Sequence, residues 1–271
     1  MEFGSQLCSI VIPVYKESLD KYEELSFRQC LKILHDYPII MVSHQALNFS
    51  NYDLIAKEYD VQIKRCFFDE AYFSSVMGYN DLLMQKSFYQ SFQSYRYILI
   101  YQLDAFVFRD ELEYWCNQGY DFVGAPWLDD HPEKRDNKEI WRVGNGGLSL
   151  RRVAYFVKVL SRKLPLEKLH VNNWLKYSEL KKIPYFFGWK NTIRYYQRME
   201  DKMNEDVFFT NFLLNSYVPP KLPTVEQAAC FAFEKYPSYL FERFNHQMPF
   251  GCHAFLKYEY EQFWKKYIEK E

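Results

Sequence analysis

Short apolar segments alternate with longer amphipathic segments through the first half of the chain. The apolar segments predict buried strands at residues 7–14, 38–42, 61–68, 97–101 and 121–125. The amphipathic segments have apolar residues at helical spacing, which predicts helices at residues 19–34, 54–59 and 74–92 and another after Asp110. Ser18 or Asp20 is available to cap the first helix.

This alternation predicts the fold class. Strands and helices in this order are joined by right-handed β-α-β crossovers, so we expect an α/β domain with a mainly parallel sheet and helices on both faces. Ligands of such sheets bind beyond the carboxyl ends of the strands. Residues 15–17, 69–70 and 102–104 follow three predicted strands and are the first candidates for ligand contact.

The pattern changes in the second half of the chain. Residues 128–139 form a charged loop, residues 144–147 are rich in glycine, and residues 148–150 predict a strand that helices follow. No internal repeat divides the chain. Residues 1–6 resemble the remnant of an expression tag and are left out of the fold prediction.

Composition is that of a globular protein, with 48% hydrophobic and 25% charged residues. Aromatic residues make up 20%, and we assign most of them to the core. The six cysteines are scattered, without a C-x-x-C pair, which favours free buried thiols in a reducing compartment. No apolar segment is long enough to span a bilayer and no signal segment is recognised, so a soluble cytoplasmic protein is expected.

Charge is unevenly distributed although the formal net charge is only −1. Lys and Arg far outnumber Asp and Glu in residues 151–202, which also contain several aromatic side chains. Such a mixture is typical of a surface that meets a membrane, a phosphate-bearing substrate or nucleic acid. A solvated helical face with a buried aromatic side explains it equally well.

Asp104 is the first residue that indicates chemistry. It follows the very apolar segment 97–101 and precedes another apolar segment, and an isolated buried carboxylate is costly. A divalent cation that bridges a diphosphate would supply a partner, because Mg²⁺ and Mn²⁺ take oxygen ligands of this kind. The alternative is that Asp104 only caps the following helix.

The segment Tyr101-Gln102-Leu103-Asp104-Ala105 resembles the D-x-D position of GT-A-fold glycosyltransferases. In that family the motif ends a strand and holds the metal ion that binds the nucleotide diphosphate. Gln102 stands where the family has its first acid. The resemblance therefore assigns the metal contact to Asp104 and a donor contact, for example with the ribose, to Gln102.

Two further segments carry the resemblance. Asn204-Glu205-Asp206-Val207 resembles the E-D-V motif of inverting GT-A enzymes, which implies that Asp206 is the base that deprotonates the acceptor hydroxyl. Glu205, the second catalytic candidate, would point to a different side and serve the fold or the acceptor. The alternative for both acids is a favourable interaction with a helix dipole. Residues 143–150 resemble the glycine segment that lines the donor-sugar site, although a tight turn into a strand would look the same.

His253 stands where many GT-A enzymes have a late histidine that completes the metal shell, with the small residues Gly251 and Ala254 beside it. A single histidine is more often structural. The order of these elements across residues 7–255 is more specific than any one of them. The local match is closest to an uncharacterised bacterial family of this fold that shares the Gln-Leu-Asp-Ala segment.

The resemblance implies a GT-A-like α/β fold. Residues 7–125 would form its nucleotide-sugar-binding half, and residues 126–271 the acceptor-binding and catalytic half of the same domain. The cofactor would be Mn²⁺ or Mg²⁺, held by Asp104 and His253. The donor-binding residues implied are Pro13, Tyr15, Glu17, Asp69, Asn80, Gln102, Asp104, Gly146 and Gly147. The acceptor-binding residues implied are Trp127, Trp141, Asn145 and Trp189.

The activity implied is transfer of a sugar from a nucleotide-diphosphate donor, preferably a UDP-sugar, to a hydroxyl of a glycan acceptor with inversion. Partners would include a lipid-linked or phosphate-bearing glycan of bacterial polysaccharide biosynthesis at the inner face of the membrane, and no nucleic acid. A sugar nucleotidyltransferase would need glycines that residues 14–18 lack. A non-catalytic sugar-binding protein would explain Gln102 but not the co-occurrence of Asp104, Asp206 and His253.

Overall fold

The computed structural model describes residues 4–128, 140–166, 191–199 and 203–269. Numbered over these residues, the strands are β1 (Gln6–Pro13), β2 (Ile39–Ser43), β3 (Ile63–Phe67), β4 (Tyr95–Tyr101), β5 (Phe106–Val107), β6 (Phe122–Gly124), β7 (Pro126–Leu128), β8 (Ile140–Val143), β9 (Leu148–Arg152), β10 (Ala232–Phe233) and β11 (Gly251–Cys252). The α-helices are α1 (Lys21–Ile33), α2 (Ser50–Glu58), α3 (Val76–Leu83), α4 (Lys86–Gln90), α5 (Leu112–Asn117), α6 (Val153–Leu160), α7 (Ile193–Tyr196), α8 (Glu205–Thr210), α9 (Val225–Phe231), α10 (Pro237–Arg243) and α11 (Lys265–Ile268). Short 3₁₀ segments at Glu70–Phe73 and Phe212–Asn215 and a π-helical turn at Tyr260–Trp264 complete the described elements.

The central sheet has the strand order β3-β2-β1-β4-β9-β6. The strands β3, β2, β1 and β4 are parallel to one another, whereas β9 is antiparallel to both of its neighbours. The predicted mainly parallel α/β fold is therefore confirmed. Because Leu148 at the start of β9 pairs with Tyr101 at the end of β4, the glycine segment that precedes β9 lies at the carboxyl edge of the sheet.

Helices cover both faces of the sheet, because alternate strand residues enter two different cores. On β1, Ile10 and Ile12 face the core formed with α1, α2 and α5, whereas Val11 faces the core formed with α3, α4, α6 and α8. On β4, Leu99 belongs to the first core and Ile100 to the second. The central strands β1 and β4 are mostly apolar because both of their faces are buried.

A small second sheet has the order β10-β11-β5 and brings together segments that are far apart in the sequence. β5 pairs antiparallel with β11, and β10 pairs parallel with β11. β7 and β8 form a separate two-stranded ribbon. The two proposed halves of the domain share the central sheet, since β6 lies in residues 7–125 and its partner β9 lies in residues 126–271.

The predicted single helix at residues 74–92 is wrong, because α3 and α4 are separated by Gln85 in an extended conformation. An uninterrupted helix would spread Leu82, Leu83, Phe88 and Tyr89 over about 220° of its circumference. The break lets all four side chains enter one core. Helix propensity along the segment is overruled by this packing.

Smaller differences concern element ends and thiols. Helix α2 begins at Ser50, four residues before the prediction, and β3 is shorter than predicted at both ends. All six cysteines are free, but Cys230 is exposed and Cys66 half-buried, so the expectation of buried thiols holds only for the others. Among the described residues, no helix combines the length and apolar character needed to cross a membrane.

Candidate active site

A cavity of about 500 Å³ lies beyond the carboxyl ends of β1 and β4. Of the predicted donor-binding residues, Pro13, Tyr15, Gln102 and Asp104 line it. Tyr15 is 63% exposed at its mouth, where a flat ligand could stack on the ring. The sequence prediction of a ligand site at this edge of the sheet therefore coincides with the cavity.

The cavity wall also includes Lys16, which lies within the predicted range 15–17, and the tyrosines Tyr52 and Tyr79, which sequence reasoning missed. The Lys16 ammonium lies 2.6 Å from the Glu23 carboxylate of α1, and the Tyr52 hydroxyl donates to the Lys16 carbonyl at 2.8 Å. Tyr79 also lines the cavity, and its buried hydroxyl has no hydrogen-bond partner of good geometry among the described residues. In the sequence, Lys16 is marked only by its place after a strand, and Tyr52 and Tyr79 only by their places on amphipathic helices.

The other five predicted donor-binding residues do not line this cavity; two of them, Gly146 and Gly147, belong to the glycine segment described below. Glu17 is exposed to solvent. Asp69 caps the 3₁₀ segment, with Oδ1 accepting a hydrogen bond from the Ala71 amide at 2.9 Å. Asn80 joins α3 to α8, because its Oδ1 accepts a hydrogen bond from the Glu205 amide at 3.1 Å. Their assigned donor contacts stay predictions.

Asp104 and His253 are brought together by the small sheet. Asp104 lies in the turn between β4 and β5, and His253 directly follows β11, the partner of β5. His253 Nε2 lies 3.2 Å from Asp104 Oδ1 and 3.2 Å from Gln102 Oε1. His253 Nδ1 lies 3.3 Å from Oε1 of Glu234, a buried residue that follows β10. A Cβ at Gly147 would overlap the His253 ring, so only glycine fits there.

The charges in this cluster shift the pKa of each partner. Burial lowers the pKa of His253, but hydrogen bonds and the charges of Asp104 and Glu234 outweigh it and raise the pKa to about 9. For Asp104, partial burial raises the pKa, and the His253 contact outweighs this, so the pKa lies below its usual value. The nearby Lys257 ammonium lowers it further.

The Asp104 and His253 side chains fit a divalent cation that a bound substrate also helps to coordinate. For an ion about 2.1 Å from each ligand, two ligands at right angles are about 3.0 Å apart. The 3.2 Å separation of Asp104 Oδ1 and His253 Nε2 is close to this value. Within the described ranges, no group of three or more His, Cys, Asp or Glu side chains is arranged to hold an ion alone. Mg²⁺ in particular is commonly bound by one or two carboxylates together with substrate phosphates.

Asp206 lies in the first turn of α8, next to the glycine segment. Its Oδ2 accepts a hydrogen bond from the Gly146 amide at 3.2 Å, and its Oδ1 accepts one from the Val207 amide at 2.7 Å. Burial and the neighbouring Glu205 charge raise the pKa of Asp206 to about 7, against the opposing effect of the Val207 amide, Arg151 and the Gly146 amide. A carboxyl group with this pKa can act as a general base near neutral pH.

Glu205 points away from Asp206 into a buried ion pair. Its Oε1 lies 2.6 Å from Nη2 of Arg151, a residue on β9 that is fully buried. Arg151 also donates to the Tyr89 hydroxyl at 3.0 Å and to Ser149 Oγ at 2.9 Å. Sequence reasoning missed Arg151, although an arginine that ends an apolar strand is a signal that it has a buried partner.

The predicted acceptor-binding residues fall into three groups. Asn145 is buried, and its Oδ1 accepts a hydrogen bond from the Gly147 amide at 3.0 Å, so it braces the glycine segment. Trp127 of β7 lies against Gly144, where a Cβ would be 3.0 Å from the ring. Trp141 belongs to β8, and Trp189 lies outside the described residues, as does most of the basic stretch 151–202. Their acceptor contacts stay predictions.

The glycine segment connects the two chemical groups. Gly146 contacts Asp206, and Gly147 lies against His253. The Gly147 carbonyl also accepts a hydrogen bond from the Gln102 amide at 2.9 Å, which ties the segment to the end of β4. The Asp206 carboxylate and the Asp104–His253 pair are therefore separated by the width of one short backbone segment.

Solved structures with a similar fold include glycosyltransferases. A galactosyltransferase LgtC in complex with donor and acceptor sugar analogs matches with a TM-score of 0.50 and 11% identity, over 90% of this chain and 86% of that chain. The apo-form glycosyltransferase GlyE of Streptococcus pneumoniae TIGR4 matches with a TM-score of 0.46 and 11% identity, over 92% of this chain and 55% of that chain. The first match shows the GT-A glycosyltransferase fold that the sequence predicted.

Sequence comparison places the chain in one family. No curated protein matches its sequence. The sequence profile of a family described as "Protein of unknown function (DUF5672)" matches residues 62–253, and the chain belongs to this family.

Proposed function

We propose that the chain is a metal-dependent glycosyltransferase that moves a sugar from a nucleotide-diphosphate donor to a hydroxyl of a glycan acceptor. One observation carries the proposal. The Asp104–His253 pair and the raised-pKa carboxylate Asp206 contact the adjacent glycines Gly147 and Gly146, and Asp104 also lines the cavity of about 500 Å³ at the carboxyl edge of the sheet. The fold likeness to a galactosyltransferase with donor and acceptor sugar analogs supports this class.

The donor is proposed to occupy the cavity, with UDP as the preferred carrier. Tyr15 at the mouth would stack on the base. The buried Tyr79 hydroxyl, which has no hydrogen-bond partner of good geometry among the described residues, would donate to the sugar or diphosphate. Lys257 is a cation close enough to Asp104 to lower its pKa, and it is available to meet a phosphate oxygen. These contacts would orient the diphosphate toward Asp104.

Asp104 and His253 would hold Mn²⁺ or Mg²⁺. When bound, such an ion neutralises charge that develops on the leaving diphosphate. The Gln102 side chain and the Gly147 backbone, which both contact His253, would help to position the diphosphate oxygens of the donor.

Asp206 would act as the general base. Its carboxylate takes the proton of the acceptor hydroxyl while that oxygen forms a bond to the anomeric carbon, and the bond from this carbon to the diphosphate oxygen breaks. Attack on the face opposite the leaving group inverts the anomeric centre. The Gly146 and Val207 amides would orient the carboxylate. Glu205 would anchor the start of α8 to the sheet through its ion pair with Arg151 and would not contact the acceptor.

The acceptor is proposed to lie on the far side of the glycine segment, against Trp127, with the basic stretch 151–202 completing the site. A lipid-linked or phosphate-bearing glycan of bacterial polysaccharide biosynthesis would suit this charge, with the protein peripheral to the inner face of the membrane in the cytoplasm. Attraction of this kind weakens with salt, so acceptor affinity that is indifferent to ionic strength would contradict it.

A panel of nucleotide sugars tests the proposal. Release of UDP, GDP or CMP is measured with and without Mn²⁺, and release that requires both the ion and one donor class is expected. The second candidate, a non-catalytic sugar-binding protein, is favoured only by Gln102 in place of the first acid. Binding of a nucleotide sugar with no release under any condition would support that candidate.

A further inference from the structure

Glu234 is a buried carboxylate without an assigned role. It is 8% exposed, directly follows β10, and its Oε1 lies 3.3 Å from Nδ1 of the 9% exposed His253. We propose that Glu234 is the positioning residue of the cation and diphosphate site, which orients His253 so that Nε2 faces Asp104. The inference rests on the proposed function, because it assigns a role within the same site.

Backbone pairing sets this contact. β10 and β11 are parallel, with Phe233 opposite Cys252, and the His253 amide donates to the Phe233 carbonyl at 3.0 Å. Glu234 and His253 are the next residues on the two strands, so their side chains start side by side. The strand register therefore places the two side chains next to each other.

The hydrogen bond selects which imidazole nitrogen is available. A carboxylate only accepts, so the nitrogen facing Glu234 must carry a proton, and Nδ1–H donates to it. Nε2 then remains as the nitrogen that can give up its proton to a cation at Asp104. Carboxylates that hold a metal-binding histidine in this way fix its ring orientation and raise its basicity as a ligand.

Glu234 also compensates for Gln102. The strand-ending motif has an amide at this position, so β4 and its following turn supply only the carboxylate of Asp104 to the site. Glu234 brings a second negative charge from a distant part of the sequence, and its charge reaches the site through His253. With His253 neutral, the charges of Asp104 and Glu234 together would balance the charge of one divalent cation, so the buried carboxylates would not remain uncompensated.

Three variants test the role. Glu234→Ala removes the acceptor for Nδ1–H, and Glu234→Gln keeps an acceptor oxygen but removes the charge. The matched control Asp121→Ala removes another buried carboxylate, which accepts from the Lys221 amide at 2.8 Å, at the opposite end of the sheet. Free Mn²⁺ is measured by electron paramagnetic resonance as Mn²⁺ is added to each protein with a fixed concentration of UDP. Thermal unfolding of each variant is measured in parallel.

Glu234→Ala should weaken Mn²⁺ binding by about 10–100-fold. Glu234→Gln should weaken Mn²⁺ binding less than Glu234→Ala does. Asp121→Ala should bind Mn²⁺ as the unaltered chain does, even where it lowers the unfolding temperature. Equal Mn²⁺ affinity in Glu234→Ala, or a loss in Glu234→Gln as large as in Glu234→Ala, would overturn the inference alone. Absence of Mn²⁺ binding by the unaltered chain would overturn the proposed metal site and this inference together.

Discussion

Lowering the pH through neutrality should inactivate the protein by protonating Asp206. Burial, with the Glu205 charge second, raises the pKa of this carboxyl to about 7, and the Val207 amide, Arg151 and the Gly146 amide oppose the rise. With this pKa, about 1% of the base is ionised at pH 5, so kcat should fall about 100-fold between pH 8 and pH 5. An ordinary Asp, with a pKa near 3.9, would remain more than about 90% ionised at pH 5.

The assay is nucleotide release at saturating donor, acceptor and Mn²⁺ at each pH. Saturation matters because His253, whose pKa is raised to about 9, must also lose a proton to hold a cation. kcat then reports the base, whereas kcat/KM would mix both groups. Asp206→Asn should lower kcat by about 10²–10⁴-fold and leave it independent of pH. An equal kcat at pH 5 and pH 8, or an acid limb that persists in Asp206→Asn, would show that the Asp206 carboxyl is not the group whose protonation inactivates the protein.

Three further predictions concern stability and packing. Glu205→Ala leaves the Arg151 charge buried without its carboxylate partner and should lower the free energy of unfolding by about 3–5 kcal/mol in urea titrations, and a smaller loss than about 1 kcal/mol would argue against a buried pair. Gly147→Ala should displace the His253 ring and weaken Mn²⁺-dependent UDP affinity in calorimetry, with an unchanged affinity as the contrary result. Asp206→Asn should be more stable than the unaltered chain. A carboxyl group whose pKa is raised in the folded state destabilises the folded protein as it ionises, between about pH 4 and about pH 7. The gain, measured by urea unfolding across this range, should grow with pH to at most about 4 kcal/mol, and a gain that does not grow would contradict the raised pKa.

The sequence predicted those parts of the site that follow strongly patterned elements. Asp104 comes directly after an apolar strand, and Asp206 starts a helix with buried aromatic residues, so both positions could be read from local pattern. The glycine segment was also visible, although the reason for each glycine was not. Only the structure relates Gly147 to the His253 ring and Gly146 to Asp206.

Glu234 and Arg151 could not be predicted in the same way. Glu234 reaches His253 through the pairing of two-residue strands, which carry no local periodicity and are specified by tertiary contacts. Arg151 is buried because Glu205, more than fifty residues away, neutralises it. The break between α3 and α4 has the same origin, since Phe88 and Tyr89 follow the shape of the core rather than local helix propensity.

The proposed activity and its base are tested most directly by comparing nucleotide release by the unaltered chain and by Asp206→Asn at saturating Mn²⁺, donor and acceptor. Asp206 is proposed as the base, and its side chain does not contact the Asp104–His253 pair in the described structure. Release by the unaltered chain that falls by about 10²–10⁴-fold in Asp206→Asn, with UDP affinity retained, is the predicted result. Equal release by both proteins, or no release from any nucleotide sugar, would contradict the claim that this chain is a glycosyltransferase with Asp206 as its base.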